Sequence, residues 1–251
     1  MKDKMVGWIV NRIRDNQNAL CFISGGTGSG KSYSALRVAQ DISNQFNKRF
    51  IAKNITFTMK QFMDRMNSGE LQTGSVLIFD EFGVGMNSRA SLTIANRIFG
   101  FLLQTFRHKN FVCIFTSPHF GFVDLSARRL FHLWFETKDI DRKRNLCLLK
   151  PHFGRTDQKT GELKWTMPKL GLNKVLGTYK VKLPSKKLIE EYEQMKQEYT
   201  KELNKNILEQ LMNVDAWGRE KKEEKPKIDP EYKERMSELL EKAKLRKEYG
   251  I

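Results

Sequence analysis

Residues 19–32 read ALCFISGGTGSGKS, and the fold follows from this stretch. The run ALCFIS is apolar until its last residue and ends at a pair of glycines, as a strand buried on both faces of a parallel sheet does. The next eight residues, GGTGSGKS, satisfy G-x-x-x-x-G-K-[ST]. Residues 31–46 (KSYSALRVAQDISNQF) then place Ala35, Val38, Ala39, Ile42 and Phe46 on one helical face. Strand, glycine loop and helix in that order make a phosphate-binding loop. Successive backbone N–H groups turn inward, and the helix amino terminus adds positive potential. Gly25, Gly26, Thr27, Gly28, Ser29 and Gly30 are expected to form the cradle, with Tyr33 at its margin. Lys31 is expected to reach the β and γ phosphates, and the Ser32 hydroxyl to ligate Mg2+. The expected ligands are therefore ATP and Mg2+.

A second half of the site is read further along. Residues 75–80 (SVLIFD) form an apolar strand that meets Asp80 and Glu81. Both carboxylates then fall at the carboxyl edge of the sheet, where open α/β folds bind ligands. Asp80 is expected to hold Mg2+ through its water shell, and Glu81 to polarise an attacking water. A neighbouring strand at 110–116 (NFVCIFT) ends in Thr116 and Ser117, which places Thr116 where it could sense the γ-phosphate. Arg107 and Arg128, with Arg129 and the more remote Arg89, are the candidates for an arginine that stabilises charge on the transferring phosphoryl.

The remaining pattern alternates. A lead-in helix over 5–18, a strand over 53–58, a short helix over 59–66 and a helix over 91–107 separate the apolar strands. The class predicted is α/β, a P-loop NTPase with a RecA/ASCE-type parallel sheet flanked by helices. Residues 131–137 (FHLWFET) and 145–149 (NLCLL) read as two strands of an added β-hairpin with a basic tip carrying Lys138, Arg142, Lys143 and Arg144. Residues 154–177 read as loop with short strands, and 178–183 (TYKVKL) as a last strand. Pro184-Ser185 opens a long polar helix over 186–212, and KPKIDP at 225–230 separates a charged helix over 231–249. The expected domains are a P-loop ATPase domain over 1–183 and a charged helical C-terminal extension over 184–251.

Charge divides along the same boundary. The 251 residues carry 45 Lys plus Arg against 29 Asp plus Glu, a net charge of +16. From Pro184 onward there are 16 of each sign, so the 29 basic and 13 acidic residues before it hold the whole surplus. An anionic partner such as nucleic acid fits this balance. The hairpin tip suits phosphate contacts without base specificity. Cys21, Cys113 and Cys147 lie in apolar runs and form no disulfide or metal pattern. His108, His119, His132 and His152 show no metal spacing and read as structural or surface residues. With neither a signal peptide nor an apolar stretch of bilayer length, the expected location is the cytoplasm, that of the host cell for a viral chain.

On these residues the chain from Cys21 to about Glu136 resembles P-loop ATPases of the FtsK and HerA type, including viral genome-packaging and Zot-like members. The matching features are GGTGSGKS, VLIFDE, RHKNFVCIFTSP at 107–118 and FVDLSARRL at 122–130. The resemblance implies translocation or packaging of double-stranded DNA by a homo-oligomeric ring, often a hexamer, with ATP between subunits. This chain departs from it at the sensing position, where the family's Thr-Gln pair reads Thr116-Ser117. An AAA+ replication initiator or helicase loader shares the loop and the Asp-Glu pair, but follows its core with a helical lid where this chain has strand-like segments. A Zot-like virion assembly ATPase would ordinarily carry a membrane span. An ATP-gated scaffold without turnover would not need Glu81. No NKxD-type motif for a GTPase and no LSGGQ-like signature for a transporter is found. The helical tail is left as a surface where a protein partner could dock.

Overall fold

Strand β1 (Ala19–Ser24) is buried along its whole length, and its neighbours explain why. It pairs in parallel with β4 (Val112–Ser117) on one side and with β5 (Leu133–Asp141) on the other. The computed structural model of the chain describes residues 4–82, 100, 110–169 and 175–212. Within them a mostly parallel sheet runs in the order β2 (Ile55–Thr56), β3 (Val76–Phe79), β4, β1, β5, β6 (Leu146–Thr156) and β7 (Leu163–Thr166). Strands β2 to β5 are parallel, whereas β6 runs antiparallel to β5 and β7 to β6. A last strand, β8 (Tyr179–Lys182), pairs with the first half of β6. Helices flank this sheet, and the class is α/β.

The period of two along each strand sorts side chains between two cores. Cys21, Ile23, Val76, Ile78, Val112 and Ile114 point to one face. That face is covered by α1 (Lys4–Arg14) and α2 (Lys31–Gln45). Helix α1 contributes Met5, Val6, Ile9, Val10 and Ile13, one stripe at helical spacing. Leu20, Phe22, Leu77, Phe79, Cys113 and Phe115 point to the other face, with Phe62 and Met66 of α3 (Met59–Asn67). Both faces being covered, the strands read as unbroken apolar runs. Helix α3 starts where Thr58 and Gln61 form a reciprocal capping box. A single helical turn, α4 (Leu125–Arg128), leads into β5.

Two elements differ from the sequence expectation. The strand expected over 53–58 shrinks to Ile55–Thr56, because residues 52–54 form a 3-10 turn. Asn54 there donates through its side chain to the Val76 carbonyl, in place of a backbone rung. The hairpin is longer than its apolar pattern. Strand β5 continues through Lys138–Asp141 with a register shift between Thr137 and Asp139, and the turn narrows to residues 142–145. The outer part is half-buried: β8 pairs along Leu146–Leu149, and Ile140 and Cys147 lie against Gly30 of the glycine loop.

Helix α5 (Lys186–Met212) keeps the boundaries its cap and proline signals suggest. Its opening is clamped to α2, since the Gln40 side chain donates to Ser185 Oγ at 2.7 Å and accepts from the Ser185 N–H at 3.0 Å. Leu188 and Tyr192 are buried in the first core, and Met195 and Tyr199 pack against it. That spacing of four, three and four is an apolar stripe in a helix whose composition is otherwise polar. Contacts divide the chain into Met1–Thr200 and Lys201–Ile251. In the second unit the described residues continue α5 and expose Ile207, Leu208, Leu211 and Met212.

Candidate nucleotide site

The loop between β1 and α2 is held from below by the hairpin. Gly30 adopts φ 87°, ψ 13° as the residue capping α2, a left-handed conformation that glycine takes without steric cost. Gly25 is a matter of space, because a Cβ there would lie 1.7 Å from Thr137 Oγ1 of β5. Cys147 of β6 reaches the Ser29 carbonyl at 3.5 Å. The two hairpin strands thus brace the loop. Lys31 folds back over it and donates to the Gly26 carbonyl at 2.7 Å. Burial lowers the Lys31 pKa, an effect opposed by Asp80 and Glu81 and reinforced by Lys196.

Asp80, at the end of β3, is 1% exposed and its carboxylate is fully engaged. Its Oδ1 accepts from Ser32 Oγ at 2.8 Å and from Thr116 Oγ1 at 2.6 Å. Its Oδ2 accepts from Tyr192 OH at 2.8 Å and pairs with Lys196 Nζ at 3.1 Å. Lys196 also pairs with Glu81 Oε1 at 2.8 Å. Burial alone would lower the Lys196 pKa, but the two carboxylates outweigh it and hold the amine above its ordinary value. The Tyr192 phenol is pushed far above its usual value by burial and then by the Asp80 charge.

Glu81 sits at φ 57°. For a side chain without a local hydrogen-bonding reason this costs about 1–3 kcal/mol and is met most often at functional sites. Its N–H donates to Thr116 Oγ1 at 2.9 Å, which fixes the strained residue to the neighbouring strand. The carboxylate stays partly open to solvent while Asp80 is sealed. Two neighbouring acids with different surroundings can take different roles: a buried one to orient a cation and an accessible one to work on water.

The donor chemistry fits Mg2+. Ser32 and Asp80 offer hard oxygens within hydrogen-bond distance of each other beside the glycine loop, and a cationic ammonium lies against the same carboxylate. Ser32 and Asp80 would hold the ion, which would supply charge neutralisation for the phosphates.

The structure brings Gly25 to Ser32, Asp80, Glu81 and Thr116 together. Thr116 does so in a specific manner, its hydroxyl joining the Asp80 side chain to the Glu81 backbone. Thr116→Val is accordingly expected to leave a buried Asp80 oxygen short of a partner, a cost of about 1–3 kcal/mol. The expected result is about a tenfold rise in the Mg2+ concentration needed for ATP binding, read by titrating Mg2+ at fixed ATP. Tyr33 turns toward α5, donating to Glu193 at 2.8 Å, and burial together with that carboxylate raises its pKa to about 12. Arg128 donates from Nε to the Val123 carbonyl at 2.6 Å and from Nη2 to the Gly121 carbonyl at 3.2 Å, so its guanidinium ties the turn before β5. Arg128 and Arg129 both line a cleft of about 940 Å³ beside Gly25 and Gly26, with His119, Trp134 and Glu136. Arg107, Arg89 and, apart from Gly100, the helix expected over 91–107 lie outside the described residues, as do His108 and the helix expected over 231–249. His119 and His132 accept from the Gly121 and Leu20 backbone N–H groups, structural roles as expected.

The sequence reading missed Tyr192 and Lys196. A signal existed for Tyr192 alone, because Leu188, Tyr192, Met195 and Tyr199 recur at helical spacing and mark a buried face. The tail's even charge balance hid it.

No family model matches the chain, and no curated protein does. Solved structures do. The N-terminal domain of zonular occludens toxin from Neisseria meningitidis aligns with 61% of this chain and 96% of its own, at 15% identity and TM-score 0.34. A single-substitution variant of RuvB from Thermotoga maritima aligns over 56% of this chain and 45% of its own, at 16% identity and TM-score 0.37. The FIGL-1 AAA domain aligns over 54% and 52%, at 17% identity and TM-score 0.35. The chain therefore spans about half the length of the last two. At these values the likenesses carry no argument, and the site rests on its own residues.

Proposed function

We propose that the chain is a Mg2+-dependent ATPase that moves or packages double-stranded DNA as a homo-oligomeric ring. The observation that carries the ATPase reading is the single cluster formed by Ser32, Asp80, Thr116 and Glu81 at the mouth of the glycine loop. Lys31 and the loop N–H groups bind the phosphates, Ser32 and Asp80 orient the metal, and Glu81 takes a proton from the attacking water. A scaffold that only bound nucleotide would have no use for an accessible carboxylate held in a strained backbone.

The DNA part rests on charge and on the FtsK/HerA-like motifs. All of the net +16 lies before Pro184, and the β5–β6 ribbon carries Arg142, Lys143 and Arg144 on its tip. Phosphate contacts of this kind release counterions, so affinity for duplex DNA is expected to fall steeply with salt, by about 10²-fold or more from about 50 to 200 mM. Fluorescence anisotropy on a labelled duplex measures it. Salt-independent binding, or none, removes DNA from the account. The helicase-loader reading is favoured instead if the chain docks on another helicase through its C-terminal helices. Among the described residues no helix is long and apolar enough to cross a membrane.

A further inference from the structure

Helix α5 reaches into the nucleotide site from the far end of the sequence. Its first residues are clamped to α2, the helix that follows the glycine loop, through the reciprocal Ser185–Gln40 pair. Two turns on, Tyr33 of α2 donates to Glu193. Tyr192 and Lys196, one helical turn apart on the same face, then take the Asp80 oxygen that Ser32 and Thr116 do not. Lys196 is 19% exposed, lies with Nζ 5.3 Å from the Phe57 ring centroid, and bridges Asp80 to Glu81.

This arrangement balances charge within the chain. Asp80 and Glu81 are matched by Lys31 and Lys196, so the amine occupies the electrostatic role that a divalent ion would have at these acids. An ammonium and Mg2+ cannot share one carboxylate oxygen at close range without strong repulsion. A Glu81 that is ion-paired at 2.8 Å is also poorly placed to accept a proton from water.

We propose that the Tyr192–Lys196 turn of α5 is an autoinhibitory latch, in which Lys196 holds the metal-binding and water-activating carboxylates closed and leaves them when Mg2+ and ATP are bound. The proposal rests on the reading that the glycine loop binds Mg2+ and ATP. In the closed state Tyr192 and Lys196 saturate Asp80. In the open state Asp80 turns its Oδ2 to the metal's water shell and Glu81 is freed. The apolar stripe of Leu188 and Tyr192 then holds α5 in place with two polar anchors fewer. Nucleotide occupancy is thereby written into the mobility of the helix.

The test uses the full chain, its Lys196→Met variant, which keeps an unbranched apolar stem and removes the ammonium, and Lys31→Ala. ATP affinity is measured by calorimetry across a Mg2+ titration, and amide hydrogen exchange is followed over 186–200. Expected are about tenfold tighter Mg2+-dependent ATP binding in Lys196→Met, and a loss of exchange protection around residues 192–199 when the unaltered chain receives Mg2+ and ATP. If Lys196→Met does not fold, the exchange measurement on the unaltered chain decides alone. ATP binding with unchanged protection over α5 overturns the latch and spares the nucleotide site. So does a folded Lys196→Met that binds Mg2+ and ATP no more tightly. Absence of any ATP binding by the unaltered chain, equal to that of Lys31→Ala, overturns both readings.

Discussion

Lys31→Ala is expected to weaken ATP binding by about 10²-fold or more and to bring hydrolysis to background. The amine is the charge that follows the glycine loop directly, it is 8% exposed, and it donates at present to the Gly26 carbonyl. A charge-assisted hydrogen bond is worth about 1.5–3 kcal/mol, and Lys31 is positioned to make more than one to the phosphates. Backbone N–H groups of the loop remain in the variant, so residual binding is expected but productive placement of the γ-phosphate is not. Loss of the Gly26 bond, itself charge-assisted, costs up to about 1.5–3 kcal/mol of stability. Calorimetric affinity, phosphate release and a melting curve on the same sample separate these effects. Unchanged turnover in a folded Lys31→Ala would remove the loop from the active site.

Glu81→Gln should produce the opposite dissociation, with ATP still bound and turnover reduced by about 10²–10⁴-fold, the usual contribution of a positioned general base. Glutamine preserves the size of the side chain and the N–H that donates to Thr116, so the strained backbone at φ 57° keeps its anchor. What disappears is the ability to take a proton and one of the two ion pairs to Lys196. Affinity is expected to hold or to improve slightly as the latch loosens, while the single-turnover rate collapses. Parallel loss of binding and rate would instead assign Glu81 to the metal or the phosphates.

How far these residues could be read from sequence depended on the range of the interaction. The glycine loop is local: strand, turn and helix follow one another without interruption from Ala19 to Phe46, and each step has a sequence signal. The apolar runs at β3 and β4 were legible for a related reason, since a strand covered on both faces cannot carry polar residues without a cost in buried hydrogen bonds. Asp80 and Glu81 were placed by the strand that ends at them. The contacts that complete the site are long-range. Nothing near Thr116 says that its hydroxyl joins two acids 35 and 36 residues away. Nothing near Lys196 points to Asp80, 116 residues earlier. Tyr33 is expected beside the phosphate cradle, and nothing near it in sequence shows that its side chain meets Glu193 of the C-terminal helix. The hairpin was underestimated because KDID carries three charged residues and so looked like a turn, while the contacts that hold it, β8 along β6 and the glycine loop beside Ile140 and Cys147, are long-range. Arg128 illustrates a different limit. An arginine suited to a phosphoryl group and one that ties a turn look alike in sequence, and within this chain Arg128 bonds two carbonyls while it also lines the cleft beside Gly25 and Gly26.

The latch and the motor reading both depend on one claim, that Ser32, Asp80 and Glu81 with the glycine loop form a working hydrolytic site. The most direct measurement is phosphate release from ATP by the full chain, with Mg2+ and with a chelator, alone and with double-stranded DNA at low salt, beside Lys31→Ala. The account predicts turnover that needs Mg2+, rises when DNA is added and is missing in Lys31→Ala. Failure to release phosphate under any of these conditions, or release that persists with the chelator or in Lys31→Ala, would contradict it.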